Sequence, residues 1–324
     1  MLERTTKLIH NIITEHDNFL VVAHQNPDGD AVGSLSAMAG MLQSLGKKFQ
    51  LFCVSPIPAQ FHYIPYILET SQDTELFKQN WGAIIVCDSG DLKYAGIEPF
   101  LPKEKIYPLI NIDHHRTNAG YGDYKLIIEQ ASSTTEVIYY YMVQNGIRIT
   151  PDIATALLTG LFTDTTNFSN SGTSRKALSI ASSLVKKGAH ISLIRKNLLH
   201  DKRFETLKIW GIILNRLMHD EKTDMVYTYV TQEDMNIYHI TEPELEGIAN
   251  LMNNLSEGRA TLVFRERNDN TIKISMRTTR DDIDVSHIAH AFGGGGHKKA
   301  AGFSVSGTMD SALREVLSTI EKMA

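Results

Sequence analysis

Acidic and imidazole side chains follow three apolar runs in the first half of the chain. The run 19–23 leads into His24, the run 83–87 leads into Asp88, and the run 109–112 leads into Asp113-His114-His115. Short apolar runs that end in polar residues are typical of buried strands. Because ligands bind beyond the carboxyl ends of the strands in an open parallel sheet, we expect these side chains to converge at one edge.

Further acidic groups flank these strand ends. The segment 24–34, HQNPDGDAVGS, places Asp28 and Asp30 on a Gly-containing turn that enters a helix, and Asp164 lies at the end of another helical segment. Five aspartates in one cleft would repel one another unless cations neutralised them. Carboxylate and imidazole ligands without cysteine favour manganese over magnesium, cobalt or zinc. The predicted metal ligands are His24, Asp28, Asp30, Asp88, His114 and Asp164.

Each of these residues, taken alone, has a plainer structural interpretation as a turn, a helix cap or a hydrogen-bonded histidine. Their joint placement after successive βα units is what favours a metal site. Two ions bridged by an aspartate, roughly 3.5–4 Å apart, would activate a water and stabilise both the attacking and the leaving oxygen of a phosphoryl transfer. Hydrolysis of a phosphate ester is therefore the predicted reaction.

A glycine-rich motif lies near the other end of the chain. Residues 292–302, FGGGGHKKAAG, place four glycines before His297. Glycines let backbone N–H groups approach an anion closely, and His297 with Arg277 would add positive charge; a flexible loop is the alternative interpretation. Ser275 and Arg277 alternate along a predicted strand and so face the same side, and Arg265 is a further candidate for binding an anion.

The elements that would position these groups suggest an α/β protein with two lobes. Alternating apolar runs and amphipathic segments predict a parallel-sheet catalytic domain over 1–190. Residues 191–220 predict a helical connector. Three strand patterns and one intervening helix over 242–255 predict a smaller mixed-sheet domain over 221–324.

Local signals indicate where several helices begin and end. A helix entered near Ala31 should stop at Gly46. Ser133 followed by Glu136 predicts a capping box, and Pro151 suits the first turn of a further helix.

Composition and net charge argue against some classes of function. The chain has 324 residues, 42% of them apolar, and a formal net charge of −5, which argues against a protein that coats long nucleic acid. Residues 259–299 nevertheless carry eight Lys or Arg against five Asp or Glu. Cys53 and Cys87 are predicted to be buried thiols. Without a signal-peptide core or a membrane-spanning run, a soluble cytoplasmic protein without a membrane partner is expected.

The order of these motifs resembles a known superfamily. Residues 24–34, 86–91, 111–118 and 161–168 resemble the four motifs of the DHH phosphoesterase superfamily, and 293–302 resembles the signature of its DHH-associated C-terminal domain. The resemblance covers essentially the whole chain. Length and layout are most similar to the bifunctional oligoribonuclease and pAp phosphatase subfamily, which implies hydrolysis of short RNA and of 3′-phosphoadenosine 5′-phosphate (pAp).

The resemblance also implies how two Mn²⁺ ions, or Mg²⁺ or Co²⁺ in their place, would be held. His24 and Asp28 would bind the first ion, and Asp88 would bridge the two. The second ion would be bound by Asp30, His114 and Asp164.

Further roles follow from the same resemblance. His115 would stand beside the scissile phosphate as an acid or electrostatic stabiliser, and Asp113 would orient its neighbours. The fourth motif often reads T-D-T-G, and Thr166 replaces its glycine here, which concerns the loop beyond Asp164 rather than ligation. Contacts to the nucleotide and its terminal phosphate would come from Ser275, Arg277, Gly294, Gly295, Gly296 and His297.

Several functions compete on this basis. The first hypothesis is hydrolysis of short RNA and pAp, and the alternative is a phosphodiesterase for cyclic di-AMP, cyclic di-GMP or their linear dinucleotide products. A RecJ-type exonuclease would be longer and more basic, and the glycine-rich motif argues against a family II pyrophosphatase. A non-catalytic nucleotide or RNA sensor would not need the complete ligand set. A homodimer and closure of the lobes during catalysis are also expected.

Overall fold

The protein divides into two compact units, each with its own sheet and hydrophobic core. By residue number the units are 1–201 and 202–324. The computed structural model describes residues 2–102, 107–170, 172–199, 203–245 and 247–323.

The first unit alternates strands and helices along the described part of the chain. Its strands are β1 Asn18–Ala23, β2 Lys48–Phe52, β3 Ala83–Cys87, β4 Leu109–Asp113 and β5 Tyr124–Ile127. Its α-helices are α1 Leu2–Glu15, α2 Gly29–Ser44, α3 Thr134–Gln144, α4 Pro151–Asp164, α5 Arg175–Lys186 and α6 Ile191–Leu198. Short 3₁₀ turns are Ala59–Phe61, Ile67–Glu69, Thr74–Lys78 and Glu98–Phe100.

The five strands form a parallel sheet in the order β2-β1-β3-β4-β5. Side chains alternate between two cores: Val21 packs on one face of the sheet, and Leu20 and Val22 pack on the other. Ala23 is level with Cys87, so the carboxyl ends of β1 and β3 lie side by side. The predicted parallel sheet is confirmed, and its strand order reverses between β1 and β3, where such folds bind ligands.

Helix α2 packs on this sheet and against α4, and it is buried from Gly29 to Leu42. A Cβ on Gly33 would lie only 2.5 Å from the carbonyl oxygen of Ala156 in α4. Because Gly33 has no side chain, α2, which contains Asp30, can pack closely against α4, which contains Asp164.

The second unit has a mixed sheet in the order β10-β11-β9-β8-β7-β6. Its strands are β6 Met218–Asp220, β7 Met225–Val230, β8 Ala260–Glu266, β9 Thr271–Arg277, β10 Gly295–His297 and β11 Ala300–Ser306. Its α-helices are α7 Phe204–Asn215, α8 Gln232–Ile237, α9 Ile248–Leu251, α10 Val285–Ala291 and α11 Met309–Met323. β7 and β8 pair in parallel, whereas the other strand pairs are antiparallel.

Strand β9 separates apolar from polar side chains by simple alternation. Ile274 and Met276 belong to the core that also contains residues of α10 and α11. Ser275 and Arg277 point to the opposite face, where they line a cavity. The predicted common face of these two residues is confirmed.

One predicted element is wrong. The single helix expected over 242–255 is broken into a 3₁₀ turn Glu242–Leu245, the one-turn helix α9 and a second 3₁₀ turn Met252–Asn254, and residue 246 lies outside the described residues. Gly247 has φ +98°, a left-handed conformation that ends helical geometry, and a Cβ there would lie 3.2 Å from the Trp210 ring.

The other local predictions are confirmed in full or in part. Gly46 follows α2 with φ +70°, and Pro151 opens α4, as expected. Ser133 caps α3 by accepting from the Glu136 N–H, but the Glu136 carboxylate accepts from the backbone of the residue before Ser133, so only half of the capping box forms.

The proposed connector over 191–220 contains α6 in the first unit and α7 in the second, and residues 200–202 lie outside the described part of the chain. Its boundaries stay a proposal. Cys53 and Cys87 are buried free thiols, as predicted. Within the described residues, no helix combines the length and the apolar character needed to cross a bilayer.

Candidate metal centre

His24 follows β1 and turns its Nε2 atom toward two carboxylates. That atom lies 3.5 Å from Asp88 Oδ2 and 3.8 Å from Asp28 Oδ1. The other ring nitrogen, Nδ1, lies 2.8 Å from the carbonyl oxygen of Gln25, which favours the tautomer that leaves a lone pair on Nε2. Burial alone would lower the pKa of His24, but Asp28 and Asp88 outweigh it and raise it to about 11.

Asp28 combines a structural role with its place beside His24. It is the N-cap of α2, and its Oδ1 accepts hydrogen bonds from the N–H groups of Asp30 at 3.0 Å and Ala31 at 3.1 Å. Helix capping and proximity to the acidic cluster therefore coexist in one side chain.

Asp30 is buried in the first turn of α2 and lies against the N-terminus of α3. Its carboxylate accepts hydrogen bonds from the N–H groups of Thr134 at 2.6 Å and Thr135 at 3.0 Å, and from the Thr135 hydroxyl at 2.8 Å. Even so, burial and the charges of Asp88 and Asp164 raise the pKa of the Asp30 carboxyl well above its usual range. The predicted helix start at Ser133 was the available signal for this anion site.

Asp88 lies directly after β3 in a strained conformation. Its φ of +59° is left-handed, and such strain in a non-glycine residue clusters at functional sites. The hydroxyl of Thr134 donates to Asp88 Oδ1 at 2.8 Å and orients the carboxylate.

His114 completes the second half of the cluster. Its Nε2 lies 3.3 Å from Asp164 Oδ2 and 3.9 Å from both Asp30 Oδ2 and Asp88 Oδ1. Its Nδ1 lies 3.2 Å from the carbonyl oxygen of Ala131, so its tautomer is directed in the same way as that of His24.

The ligand atoms of these residues form three compact groups, each with its atoms within 4.8 Å of one another. The groups are His24, Asp28 and Asp88; Asp30, His114 and Asp164; and Asp88, His114 and His115. The first two groups correspond to the division that the superfamily resemblance implies, and Asp88 belongs to the first and to the third.

The chemistry of this cluster suits divalent cations. All donors are carboxylate oxygens or imidazole nitrogens, which suit manganese or a similar metal. Burial, with the charges of Asp88 and Asp28, outweighs the neighbouring His114 and raises the pKa of Asp164 to about 6. Negative charge is thus in excess at this edge of the sheet, and bound cations would balance it.

His115 and Asp113 form a hydrogen-bonded pair beside the cluster. His115 Nδ1 lies 2.8 Å from Asp113 Oδ1, and the buried Asp113 carboxylate also accepts from Asn118 Nδ2 and from the His114 N–H. The hydrogen bond to Asp113 outweighs burial and raises the pKa of His115 to about 9. Because the His115 side chain is partly exposed, it can present a proton donor at the rim of the site.

The second unit gathers some of the predicted substrate-binding residues and separates others. Arg265, Ser275 and Arg277 line one cavity of about 520 Å³. Gly295, Gly296 and His297 form β10 instead, and among the described residues they are not part of that lining.

The glycines of this motif have a packing role. Gly296 has φ +145°, and a Cβ there would lie 2.5 Å from the Ala300 carbonyl oxygen in β11. A Cβ on Gly294 would lie still closer to the Gly302 carbonyl oxygen, so the motif is a tightly paired hairpin rather than a flexible loop.

Sequence reasoning missed three charged residues of the same cavity, Glu242, Arg267 and Lys273. Lys273 extends the alternation of Ser275 and Arg277 along β9, and Arg267 extends the alternation that begins with Arg265. The period of two was therefore a usable signal for both cations. Glu242 gave no such signal because it lies on a separate 3₁₀ turn.

Comparison with known families assigns both halves of the chain. The N-terminal domain of the DHH family matches residues 18–161, and the DHHA1 domain matches residues 222–324. The chain contains a DHH domain and a DHHA1 domain.

Relatives match this chain over nearly its whole length. The bifunctional oligoribonuclease and PAP phosphatase NrnA of Thermus thermophilus is 27% identical over 304 residues, which are 93% of this chain and 89% of the relative. The protein of the same name from Bacillus subtilis is 24% identical, with 93% of both chains covered. A crystal structure of an exopolyphosphatase-related protein from Bacteroides fragilis has the same fold, with a TM-score of 0.86, 22% identity and coverage of 99% of this chain and 96% of that one.

The departure from the fourth DHH motif has a visible conformational consequence. Thr166, which stands where that motif often has glycine, has φ +49°, and Asn167 and Phe168 also have positive φ values. The backbone after Asp164 thus keeps a conformation that suits glycine although a β-branched residue occupies it.

Proposed function

We propose that this chain is a manganese-dependent phosphoesterase that hydrolyses short RNA to mononucleotides and pAp to AMP. Its domains and relatives make it a hydrolase of phosphate esters. The position of Asp88 beside both His24 and His114 is the observation that carries the two-metal part of the proposal. The relatives named for oligoribonuclease and PAP phosphatase activity favour these substrates over cyclic dinucleotides.

Different residues of the chain have different roles in the proposed reaction. When bound, two divalent cations would polarise the phosphate and activate a water. Thr134 and the α3 N-terminus hold Asp88 and Asp30 in fixed orientations. Protonated His115, held by Asp113, donates to the leaving oxygen, which is the role of a general acid.

The second unit supplies the substrate contacts in this proposal. Ser275 and Arg277 in the cavity would bind a phosphate of the nucleotide, and burial lowers the pKa of Arg277 without making it neutral in the physiological range. The remaining predicted contacts, Gly294, Gly295, Gly296 and His297, form a turn and strand next to β11. A homodimer in the cytoplasm completes the proposal.

The test is product release from pAp and from an RNA ladder of dimer to decamer, with manganese, magnesium or a chelator. Asp88→Asn is the disabling variant, and the exposed Asp152→Asn in α4 is its matched control. We expect pAp and the shortest RNAs to be cleaved in manganese by the wild type and the control, and not by Asp88→Asn. Faster cleavage of cyclic di-AMP than of pApA, or no cleavage of any of these compounds, would contradict the proposed substrates.

A further inference from the structure

Strand β4 contains a buried amide, Asn111, two residues before Asp113. Alternation along the strand places both side chains on the same face of the sheet. A buried polar group costs free energy unless it is hydrogen-bonded. Asn111 meets this condition through Asn118: its Nδ2 donates to Asn118 Oδ1 at 3.1 Å, and its Oδ1 accepts from Asn118 Nδ2 at 3.3 Å. The two amides therefore fix each other's orientation.

A backbone contact determines which end of the Asn118 amide faces Asp113. The N–H of Gly120 donates to one end at 2.7 Å, and because a backbone N–H cannot accept, that end is the oxygen. The Nδ2 group at the other end donates to Oδ2 of the buried Asp113 carboxylate. Oδ1 of the same carboxylate accepts from His115 Nδ1. Asn118 thus holds the carboxylate oxygen that His115 does not contact.

We propose that Asn118, supported by Asn111, is a positioning residue that holds the Asp113 carboxylate and, through it, the His115 ring. A carboxylate bonded at both oxygens cannot rotate without losing a hydrogen bond, so the ring keeps one orientation. The inference rests on the proposed function in one respect, since it takes His115 as the donor to the leaving oxygen. In that reaction the water oxygen bonds to phosphorus, and the ribose 3′ oxygen leaves with the electron pair and takes the proton.

A second contact of Asn118 defines a competing route. Its Nδ2 also lies 3.2 Å from the carbonyl oxygen of Ser89, the residue directly after Asp88. If Asn118 acted through this contact, its loss would displace Asp88 and weaken metal binding. A displaced Asp88 slows every substrate, whereas a displaced His115 slows those whose leaving oxygen needs a proton. The two routes therefore predict different results.

The experiment compares pApA with adenosine 5′-(p-nitrophenyl phosphate) as substrates of the full chain in manganese. Nitrophenolate leaves as a stable anion, so it does not need the proton that the ribose 3′ oxygen needs. We expect Asn118→Ala to lower kcat for pApA about 10–100-fold and to leave kcat for the nitrophenyl ester within about twofold. Manganese affinity, measured by electron paramagnetic resonance, should not change. Asn197→Ala is the matched control, because Asn197 Nδ2 donates to the Leu193 carbonyl oxygen of its own helix.

Two further measurements test whether Asn118 acts through His115. In the His115→Ala background, Asn118→Ala should cause no additional loss on pApA, because the group that it positions is gone. In chelator, where no turnover occurs, NMR of isotope-labelled histidines should show the hydrogen-bonded Nδ1 proton of His115 in the wild type and in Asn197→Ala. Faster exchange should remove that signal in Asn118→Ala.

A second variant covers the case in which Asn118→Ala does not fold. Asn111→Leu leaves Asn118 in place but removes its partner amide, so we expect the same selectivity for pApA with a smaller loss.

Equal losses on both substrates, weaker manganese binding, or a full additional loss in the His115→Ala background would overturn the inference. Failure of the proposed function looks different, since the wild type would then cleave neither pAp nor pApA in manganese. The NMR signal in chelator would still decide whether Asn118 holds His115, and a signal unchanged in Asn118→Ala would show that it does not.

Discussion

The two units contain clusters of like charge that are balanced in different ways. In the first unit, Asp30, Asp88 and Asp164 crowd an edge of the parallel sheet, and the pKa of Asp30 is raised because burial and its acidic neighbours disfavour its charge. In the second unit, cations crowd a sheet face, and their counter-ion Glu242 belongs to the same unit.

The difference follows from the source of the opposite charge in each cluster. Buried carboxylates with imidazole neighbours need an external cation to reach charge balance, so metal binding and stability should be strongly linked. The cationic cluster is stable by itself, because Glu242 already neutralises part of its charge.

The largest expected effect is on metal-linked stability of the first unit. Manganese at about 100 times its dissociation constant stabilises by about 2.7 kcal/mol, which should raise the Tm by about 5–10 °C. Asp88→Asn should lose this increase and, in chelator, should have a higher Tm than the wild type because one repelling charge is gone. Thermal unfolding followed by circular dichroism, with manganese or chelator, measures both changes.

In the second unit, Glu242→Gln is the substitution that corresponds to Asp88→Asn. The loss of the Glu242 charge should lower the free energy of unfolding, because three cations then lose the carboxylate that they share. If both substitutions shifted stability in the same direction in chelator, the contrast between the two clusters would be wrong.

Loss of the hydrogen bond that orients Asp88 should have the next largest effect. Thr134→Val keeps the side-chain shape but removes the hydroxyl that donates to Asp88 Oδ1, and loss of such an outer contact costs about 10–100-fold in metal affinity or activity. Manganese affinity measured by electron paramagnetic resonance should fall with activity. Thr163→Val is the control, since the Thr163 hydroxyl donates to its own helix backbone; equal losses in both variants would exclude a specific role for Thr134.

A smaller effect is expected from an ion pair within the second unit. Arg216 donates two hydrogen bonds to Asp234, and Thr231 adds others. Burial alone would raise the pKa of Asp234, but these bonds outweigh it and hold the pKa below its usual value. Asp234→Asn should lower the free energy of unfolding by about 1.5–3 kcal/mol at pH 7.

The pH dependence of this loss has a definite sign. Because the folded pKa of Asp234 is depressed, its stabilisation is present above the unfolded pKa of about 3.9 and is lost as the pH falls through the folded value. Urea unfolding of wild type and Asp234→Asn should therefore converge in acid. A difference that stayed constant from pH 7 to pH 3 would mean that the charge of Asp234 does not carry the effect.

Sequence patterns predicted the edge of the sheet where the candidate metal ligands meet, because the ends of parallel strands determine where the following side chains lie. His24, Asp88 and His114 each follow a parallel strand, so their convergence needed no knowledge of long-range packing. The contact between Asp30 and Thr134 could not be found in this way, because it joins residues 104 positions apart through the packing of α2 on α3.

In the second unit, sequence patterns predicted the residues of a regular strand but not those of an irregular segment. Alternation on β9 predicted the face of Ser275 and Arg277, but the location of Glu242 depends on how the chain around Gly247 departs from a regular helix. Helical periodicity over 242–255 predicted one helix and gave no information on that break. A counter-ion supplied by an irregular segment is thus less accessible to sequence reasoning than a ligand at a strand end.

The smallest effect is expected at Thr166, where backbone strain lies next to the acidic cluster of the first unit. A left-handed β-branched residue costs about 1–3 kcal/mol, and the larger unfolded-state entropy of glycine offsets about 0.4–1 kcal/mol of the relief. Thr166→Gly should therefore raise the free energy of unfolding by about 1 kcal/mol. Thr166→Ala is the matched control, because it loses the same 3.3 Å contact with Asn170 but keeps a Cβ, and should gain less. If denaturant unfolding gave the two variants equal stability, the left-handed backbone would not be the source of the strain, and the glycine often found in this motif would need another explanation.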